Sequence, residues 1–185
     1  MFFMLECFSP DEADHAQFTS LPEDDDLSWL SGRRFAEPPL PPVRLTIEFG
    51  EGGVLPEFTD VPLPLMSRRL ATALENAGVT NIDYYETEIH DLETDNVHHD
   101  LLAFNLIGAI SAADLTNSQY SAPDGPLISV DFDSLAIDEA KTRGALMFRL
   151  AESVNGIVVH ESVKNAIEAA GIDTLTFIPP EEWVG

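Results

Sequence analysis

Two stretches of the chain carry apolar residues at the same spacing. Met66-Ser-Arg-Arg-Leu70-Ala-Thr-Ala-Leu74-Glu-Asn-Ala77-Gly78-Val79 aligns with Val159-His-Glu-Ser-Val163-Lys-Asn-Ala-Ile167-Glu-Ala-Ala170-Gly171-Ile172 without a gap. In both, apolar positions recur at i, i+4, i+7, i+8 and i+11, which is one face of a helix. Gly78 and Gly171 then stand where a helix ends in a left-handed residue. Ile82 and Tyr84 after the first copy answer to Leu175 and Phe177 after the second, at strand spacing. Gly156-Ile-Val-Val159 supplies a strand before the second helix. Elsewhere the pattern is strands and turns. Phe2 to Phe8 and Val43 to Phe49 read as strands, and Pro10 to Leu30 as a long acidic surface loop. Glu37-Pro-Pro-Leu-Pro-Pro42 is stiff extended backbone. Asp100 to Ala113 is nearly all apolar around Asn105, a buried strand closed by a turn at Asp114. Pro123-Asp-Gly-Pro126 is turn chemistry. Ile128, Val130 and Phe132 alternate with Ser129, Asp131 and Asp133, a strand buried on one face, and Phe148 to Leu150 begins another.

These elements predict an α+β fold. Its sheet is mostly antiparallel or mixed, with two similar helix–strand units at about 64–86 and 157–179. Residues 1–185 are expected to form a single domain, with two αβ halves of about 1–100 and 101–185 as the alternative. The similarity of the units reads as a duplication or as two merely similar αβ elements. Two copies are too few for a solenoid.

Composition alters this picture mainly through charge. The 185 residues hold 9 Lys plus Arg against 33 Asp plus Glu, a formal charge of −24. Such a surface repels phosphate, which argues against nucleic-acid binding and against attachment to anionic membranes. Apolar residues make up 44 %, enough for a packed core rather than a disordered acidic tail. The single Cys7 cannot form an intrachain disulfide, and no cationic residue near it lowers its pKa. Met1-Phe2-Phe3-Met4-Leu5 lacks the cationic flank of a signal peptide, and no apolar run reaches membrane-helix length. A cytoplasmic location is expected. The charge is also uneven: residues 71–140 contain 14 Asp and Glu and no Lys or Arg. A one-signed middle is explained either by solubility or salt adaptation, or by a basic protein partner.

Catalytic signatures are near misses. His160-Glu161-Ser-Val-Lys164 opens a helix as a zinc-protease motif does, but Lys164 stands where the second histidine belongs. His160 is better read at the helix entry, the place Ser67 takes in the first copy. Gly50-Glu-Gly52-Gly53 follows a strand without a helix behind it, so it reads as a hairpin turn rather than a phosphate loop. His98-His99-Asp100, with His90 and Asp91 nearby, is the best metal candidate. An extended chain places His98 and Asp100 on one side and His99 on the other, short of a full ligand set. A metal- or carboxylate-dependent hydrolase built on His98, His99 and Asp100 is the competing functional class. Glu86 with Glu88, and Asp131 with Asp133, are carboxylate pairs better read as a solvated acidic face. No catalytic residue, metal or cofactor is expected. The densest acidic run is Glu86-Thr-Glu88-Ile-His-Asp91-Leu-Glu93-Thr-Asp95, so Glu86, Glu88, Asp91, Glu93 and Asp95 are the candidate partner-binding residues.

Nearly the full length resembles the eleventh family of bacterial polymorphic-toxin immunity proteins, the myxobacterial-type immunity domain. The features that carry the resemblance are Phe2-Phe3, Trp29-Leu-Ser-Gly32, and Pro64-Leu-Met-Ser-Arg-Arg-Leu70 with Ala77-Gly-Val79. Further along come Asn105, Asp114 and Ser118, then Leu146-Met-Phe-Arg149-Leu-Ala-Glu, Ile-Val-Val-His-Glu-Ser-Val, Ala-Ala-Gly-Ile and Phe177-Ile-Pro-Pro-Glu-Glu-Trp183. The resemblance implies an immunity protein that neutralises a cognate toxin without catalysis, and it transfers no catalytic residues. The acidic charge fits a toxin with a basic surface, for which a nuclease is one type.

Overall fold

The computed structural model describes residues 1–6, 17–19, 27–49, 53–121 and 130–185. Cys7, the Asp24–Asp26 run, the Gly50–Gly52 turn, Pro123–Pro126 and the Ile128–Ser129 start of a strand lie outside the described residues.

Among the described residues strands dominate, in mixed sheets, with two α-helices. A seven-stranded sheet runs β2 (Gln17–Phe18), β3 (Val43–Glu48), β6 (Ile82–Asp91), β8 (Leu101–Leu106), β5 (Leu65–Ser67) and β4 (Phe58–Thr59), with β7 (Val97–His98) added to β6. A five-stranded sheet has the order β14 (Thr176–Ile178), β1 (Phe2–Glu6), β13 (Ser153–His160), β12 (Met147–Leu150) and β9 (Ala109–Ile110). A small ribbon pairs β10 (Gln119–Ser121) with β11 (Asp131–Ser134). The helices are α1 (Arg68–Asn76) and α2 (Glu161–Ala169).

The acidic N-terminal segment is not wholly a surface loop: Gln17–Phe18 pairs with β3, and Trp29 is buried at 5 % exposure. Trp29 packs edge-on against Phe35 and Tyr85, so an indole inside a polar run serves as an anchor over the sheet. The apolar run after Asp100 is likewise not one strand. Asn81 Nδ2 donates to the Ile107 carbonyl at 2.6 Å and to the Met147 carbonyl at 3.0 Å, and the run breaks there between β8 and β9.

Both helices bridge parallel strands around an antiparallel intruder. Strands β5 and β6 each pair antiparallel with β8, so they run parallel to one another and α1 crosses between them. Strands β13 and β14 both pair antiparallel with β1, and α2 makes the equivalent crossing. Ser67 Oγ caps α1 by accepting from the Leu70 N–H at 3.0 Å, and His160 Nδ1 caps α2 by accepting from the Ser162 N–H at 3.2 Å. Each helix ends in a left-handed glycine, Gly78 at φ +88° and Gly171 at φ +73°. The next residues, Val79 and Ile172, bond back to the carbonyls of Leu74 and Ile167.

Period-2 alternation in the sheets and period 3.6 in the helices deliver one shared core. Leu70, Leu74, Val163 and Ile167 are all fully buried, in one cluster with Met66, Phe104 and Leu106 from the seven-stranded sheet. Met147, Ile157 and Val159 from the five-stranded sheet complete it. The opposite faces are also covered. Phe2, Met4, Phe148 and Val158 pack on Phe132, Leu135 and Trp183, while Leu45, Ile47, Leu65 and Ala103 pack around Trp29.

The largest fully buried side chain among the described residues is charged: Arg149 of β12, with 0 % of its side chain exposed. Its Nη2 donates to Asp60 Oδ1 at 3.3 Å and its Nη1 to the Val154 carbonyl at 3.1 Å. Burial raises the Asp60 carboxyl above its usual range, against the pull of Arg149. The pair therefore joins β12 to the loop after β4, which belongs to the other sheet.

Two stability outcomes follow. Leu70→Ala or Ile167→Ala should each cost about 2–5 kcal/mol, because neither site can collapse onto the cavity left behind. Asp60→Ala should cost about 3–5 kcal/mol by stranding the buried guanidinium, more than Asp133→Ala on the exposed ribbon face. Denaturant midpoints at constant slope measure both.

Candidate partner-binding site

The acidic run lies on β6 and the tight turn that leads from it to β7. Even-numbered residues of β6 share a face with Leu102 and Phe104 of β8. Near the helices that face is apolar, through Ile82 and Tyr84 against the shared core. Further along it reaches solvent and carries Glu86, Glu88 and His90, opposite Arg44 and Thr46 of β3. Odd-numbered Thr87, Ile89 and Asp91 are buried on the other face.

The five sequence-selected carboxylates are brought to one end of the sheet, but they are not alike. Glu86 is exposed and ion-paired with Arg68, whose Nε also donates to the His99 carbonyl at 2.7 Å. The hydrogen bond from Arg68, aided by its charge, holds the Glu86 carboxyl below its usual range. Glu88 accepts from Arg44 Nε at 3.2 Å, its direct partner in the parallel register. Asp91 departs from the expectation of an exposed run: its residue surface is only 5 % exposed. Its Oδ1 accepts from the N–H of Glu93 at 2.8 Å and of Thr94 at 3.3 Å, and its Oδ2 accepts from the Thr94 hydroxyl. These bonds hold its carboxyl below the usual range, the Thr94 hydroxyl first. Asp91 is thus the side chain that ties the turn, adding side-chain acceptors to the backbone bonds from the Asp95 N–H to the Asp91 carbonyl and from the Asp91 N–H to the Asn96 carbonyl. Glu93 and Asp95 project from that turn with no ion pair among the described residues, Asp95 in the left-handed region at φ +60°. Beside them Leu92 and Val97 are 57 % and 41 % exposed. These two apolar side chains escaped the reading of charge alone. The signal for them is their placement inside an otherwise polar turn.

Arg44 and Arg68 were equally hidden. In sequence they lie outside the cation-free stretch, while β-pairing and the start of α1 set them against Glu86 and Glu88. Among the described residues, Arg34, Arg44, Arg68, Arg69, Lys141, Arg149 and Lys164 all form ion pairs inside the chain, seven of the nine cations. The negative field outside therefore comes from carboxylates that have no internal counter-ion.

The histidine segment is put to structural use. The His98 ring packs on Phe49 with centroids 5.3 Å apart, and His99 Nδ1 lies 3.1 Å from the Thr87 carbonyl, as its donor. Asp100 is exposed, and its carbonyl accepts from the Arg68 N–H at 3.1 Å. Among the described residues, no three His, Cys, Asp or Glu side chains are grouped so as to hold a metal ion. At the other near-motif, Lys164 reaches Glu168 at 2.6 Å and lies over the rings of Phe3 and Phe177. Asp131 and Asp133 flank buried Phe132 and face solvent.

A second feature, absent from the sequence reading, runs beside the first half of β6. A groove of about 480 Å³ opens between that strand and the segment at Arg34, Phe35 and Pro38. Arg34 Nε meets Asp83 Oδ2 across it at 3.0 Å. Tyr84 lines it, with a hydroxyl that is buried and lacks a hydrogen-bond partner; burial first, and Glu75 second, push that hydroxyl up to about 12.

With this geometry in place, comparison with family models identifies the class. Residues 10–182 match the model of the immunity protein family Imm11, and the chain belongs to that family. The matched span takes in the seven-stranded sheet, the five-stranded sheet apart from β1, both helices and the acidic turn. A comparison with curated proteins found no match. No helix among the described residues is long and apolar enough to cross a membrane.

The Arg68–Glu86 pair gives a pH outcome. A carboxyl lowered in the folded state adds stability above its unfolded pKa, and that stability is lost as pH falls through the folded value. In Arg68→Gln the Glu86 carboxyl should titrate at higher pH, and its small contribution to the acid limb should vanish, solvent screening keeping the effect modest. Carboxyl-carbon NMR titration of both proteins measures the shift.

Proposed function

We propose that the chain is an immunity protein that binds a cognate bacterial toxin in the cytoplasm and neutralises it by occlusion, as an inhibitor without catalytic chemistry. The observation that carries this reading is the family match across residues 10–182. The partner is a toxin protein with a basic surface, in preference to nucleic acid or a membrane. The net charge of −24 supports that choice, because it accelerates encounter with a cationic protein and opposes polyanions. Residues 1–185 act as a single domain, a reading supported by the one buried cluster that contains both helices. We take the regions at about 64–86 and 157–179 as two versions of one helix–strand unit, on their shared apolar spacing, glycine stops and crossings.

The contact surface is the end of the sheet that carries Glu86, Glu88, Asp91, Glu93 and Asp95. Glu93 and Asp95 meet toxin cations directly, next to Leu92 and Val97. Glu86 and Glu88 exchange Arg68 and Arg44 for toxin side chains or share them. Asp91 holds the turn in its binding shape and makes no contact of its own. A turn ordered before binding loses less conformational entropy at the interface.

Co-expression with its cognate toxin, sought as a toxin-like domain encoded by a neighbouring gene, should protect the host cell, and the two proteins should purify as a complex. Glu86→Gln, Glu88→Gln, Glu93→Gln and Asp95→Asn together should leave the melting temperature nearly unchanged. They should slow association by about ten-fold at low salt and flatten its salt dependence. Asp91→Ala should instead speed amide exchange across residues 92–96 and weaken binding through dissociation. Full protection with an unchanged association rate and salt slope in the four-site variant would place the interface elsewhere.

A further inference from the structure

Strand β6 has ten residues, but β3 accompanies only its second half. The β3–β6 ladder begins at Val43 opposite Thr87, whereas the β6–β8 ladder covers Ile82 to Glu86. Along that first half, β6 is bonded on one side only. The direction of its remaining backbone groups follows from the antiparallel alternation. The Ile107 N–H donates to the Asn81 carbonyl at 2.8 Å, so the bonding positions toward β8 are Asn81, Asp83 and Tyr85. Ile82 and Tyr84 then turn their N–H and C=O groups the other way. Phe104, opposite Tyr84, fits this phase, because its N–H donates away from β6 to the Pro64 carbonyl at 3.0 Å. Among the described residues, no backbone or side-chain bond is made to those groups of Ile82 and Tyr84.

The chain's own continuation cannot fill this gap. The segment that would extend β3 backward along β6 contains Pro38, Pro39, Pro41 and Pro42, four residues with no N–H to give to a ladder. It leaves the strand edge instead, and the groove at Phe35 and Pro38 is the space between. The edge is short, set inside the sheet and walled by side chains. Those features limit uncontrolled pairing while leaving the backbone groups reachable.

We propose that this groove is a strand-addition site, in which an extended, cation-bearing segment of the toxin pairs with Ile82 and Tyr84 of β6. The proposal rests on the immunity reading above and adds to it a mode of recognition. Charge selects the occupant: a second copy of this chain would bring its own −24, while a cation-bearing segment is drawn by that same net charge, and the one cation lining the groove among the described residues, Arg34, is already paired with Asp83. Main-chain bonds to β6 supply register and affinity, and the aromatic and proline walls supply side-chain selectivity.

Amide hydrogen exchange in the wild-type protein tests this, free and in complex with that cognate toxin. Binding should slow exchange at the Ile82 and Tyr84 amides by about ten-fold or more, while Asp83 and Tyr85, already bonded to β8, should change little. A complex that forms with Ile82 and Tyr84 exchanging at their free rates would overturn the strand-addition site and leave the immunity reading standing. Absence of any complex or protection would overturn the immunity reading, and this site with it. Pro38→Trp supplies a second readout: it places an indole in the groove from an exposed position. It should raise the dissociation constant about ten-fold or more at an unchanged melting temperature, and tight binding by that folded variant would count against the site.

Discussion

The fold depends on two helices that cannot stand alone. Each has nine residues, below the length at which an isolated helix holds in water, so packing must supply what propagation does not. The solution is to bury Leu70, Leu74, Val163 and Ile167 in one cluster, where each helix rests on its own sheet and on the other helix. The rest follows from that requirement. Both sheets need an apolar inner face to meet the helices, and both also bury their outer faces. The strands that result are filled on both sides, as in Leu101–Leu106, where five of the six residues are buried. Arg149 and Asp60 then join the two sheets at a place where a misplaced layer would strand a charge.

Electrostatics is divided between the interior and the exterior. Positive charge is almost wholly committed inside the chain, whether to hold register between β3 and β6, to brace the start of α1, or to join the sheets. A protein with 33 carboxylates and nine cations thus uses its cations as structural parts and leaves its anions to define the field felt by another molecule. Self-repulsion is the cost, and dense burial on both sheet faces offsets it.

What the sequence disclosed, and what it concealed, divides by range. The helices, their caps at Ser67 and His160 and their glycine ends were legible because spacing over a dozen residues encodes them. The inward positions of β3 and β11 were legible from alternation. The α+β class followed. Contacts across distant segments were not legible: Arg44 against Glu88 depends on a parallel register, and Arg68 against Glu86 on where a helix starts. Asp91 looked like four other acids in its run. Only the tight reversal after β6 distinguishes it, by turning its carboxylate onto the following amides. The groove beside Ile82 and Tyr84 was hidden for a further reason, since it arises where two ladders fail to overlap and no residue type marks such a place. The prolines of residues 38–42 were visible as a stiff connector, but the strand edge they leave unpaired was not.

The turn after β6 has one more consequence. Its shape is held by one carboxylate and a few backbone bonds around it, while its projecting residues contribute nothing to the shared core. In the proposed interface, folding and recognition are thereby uncoupled at Leu92, Glu93, Asp95 and Val97. Substitutions at these positions alter what the surface offers without reopening the packing problem that the helices impose. Such a segment is a replaceable tip on a fixed handle, open to revision one residue at a time while the scaffold behind it stays the same.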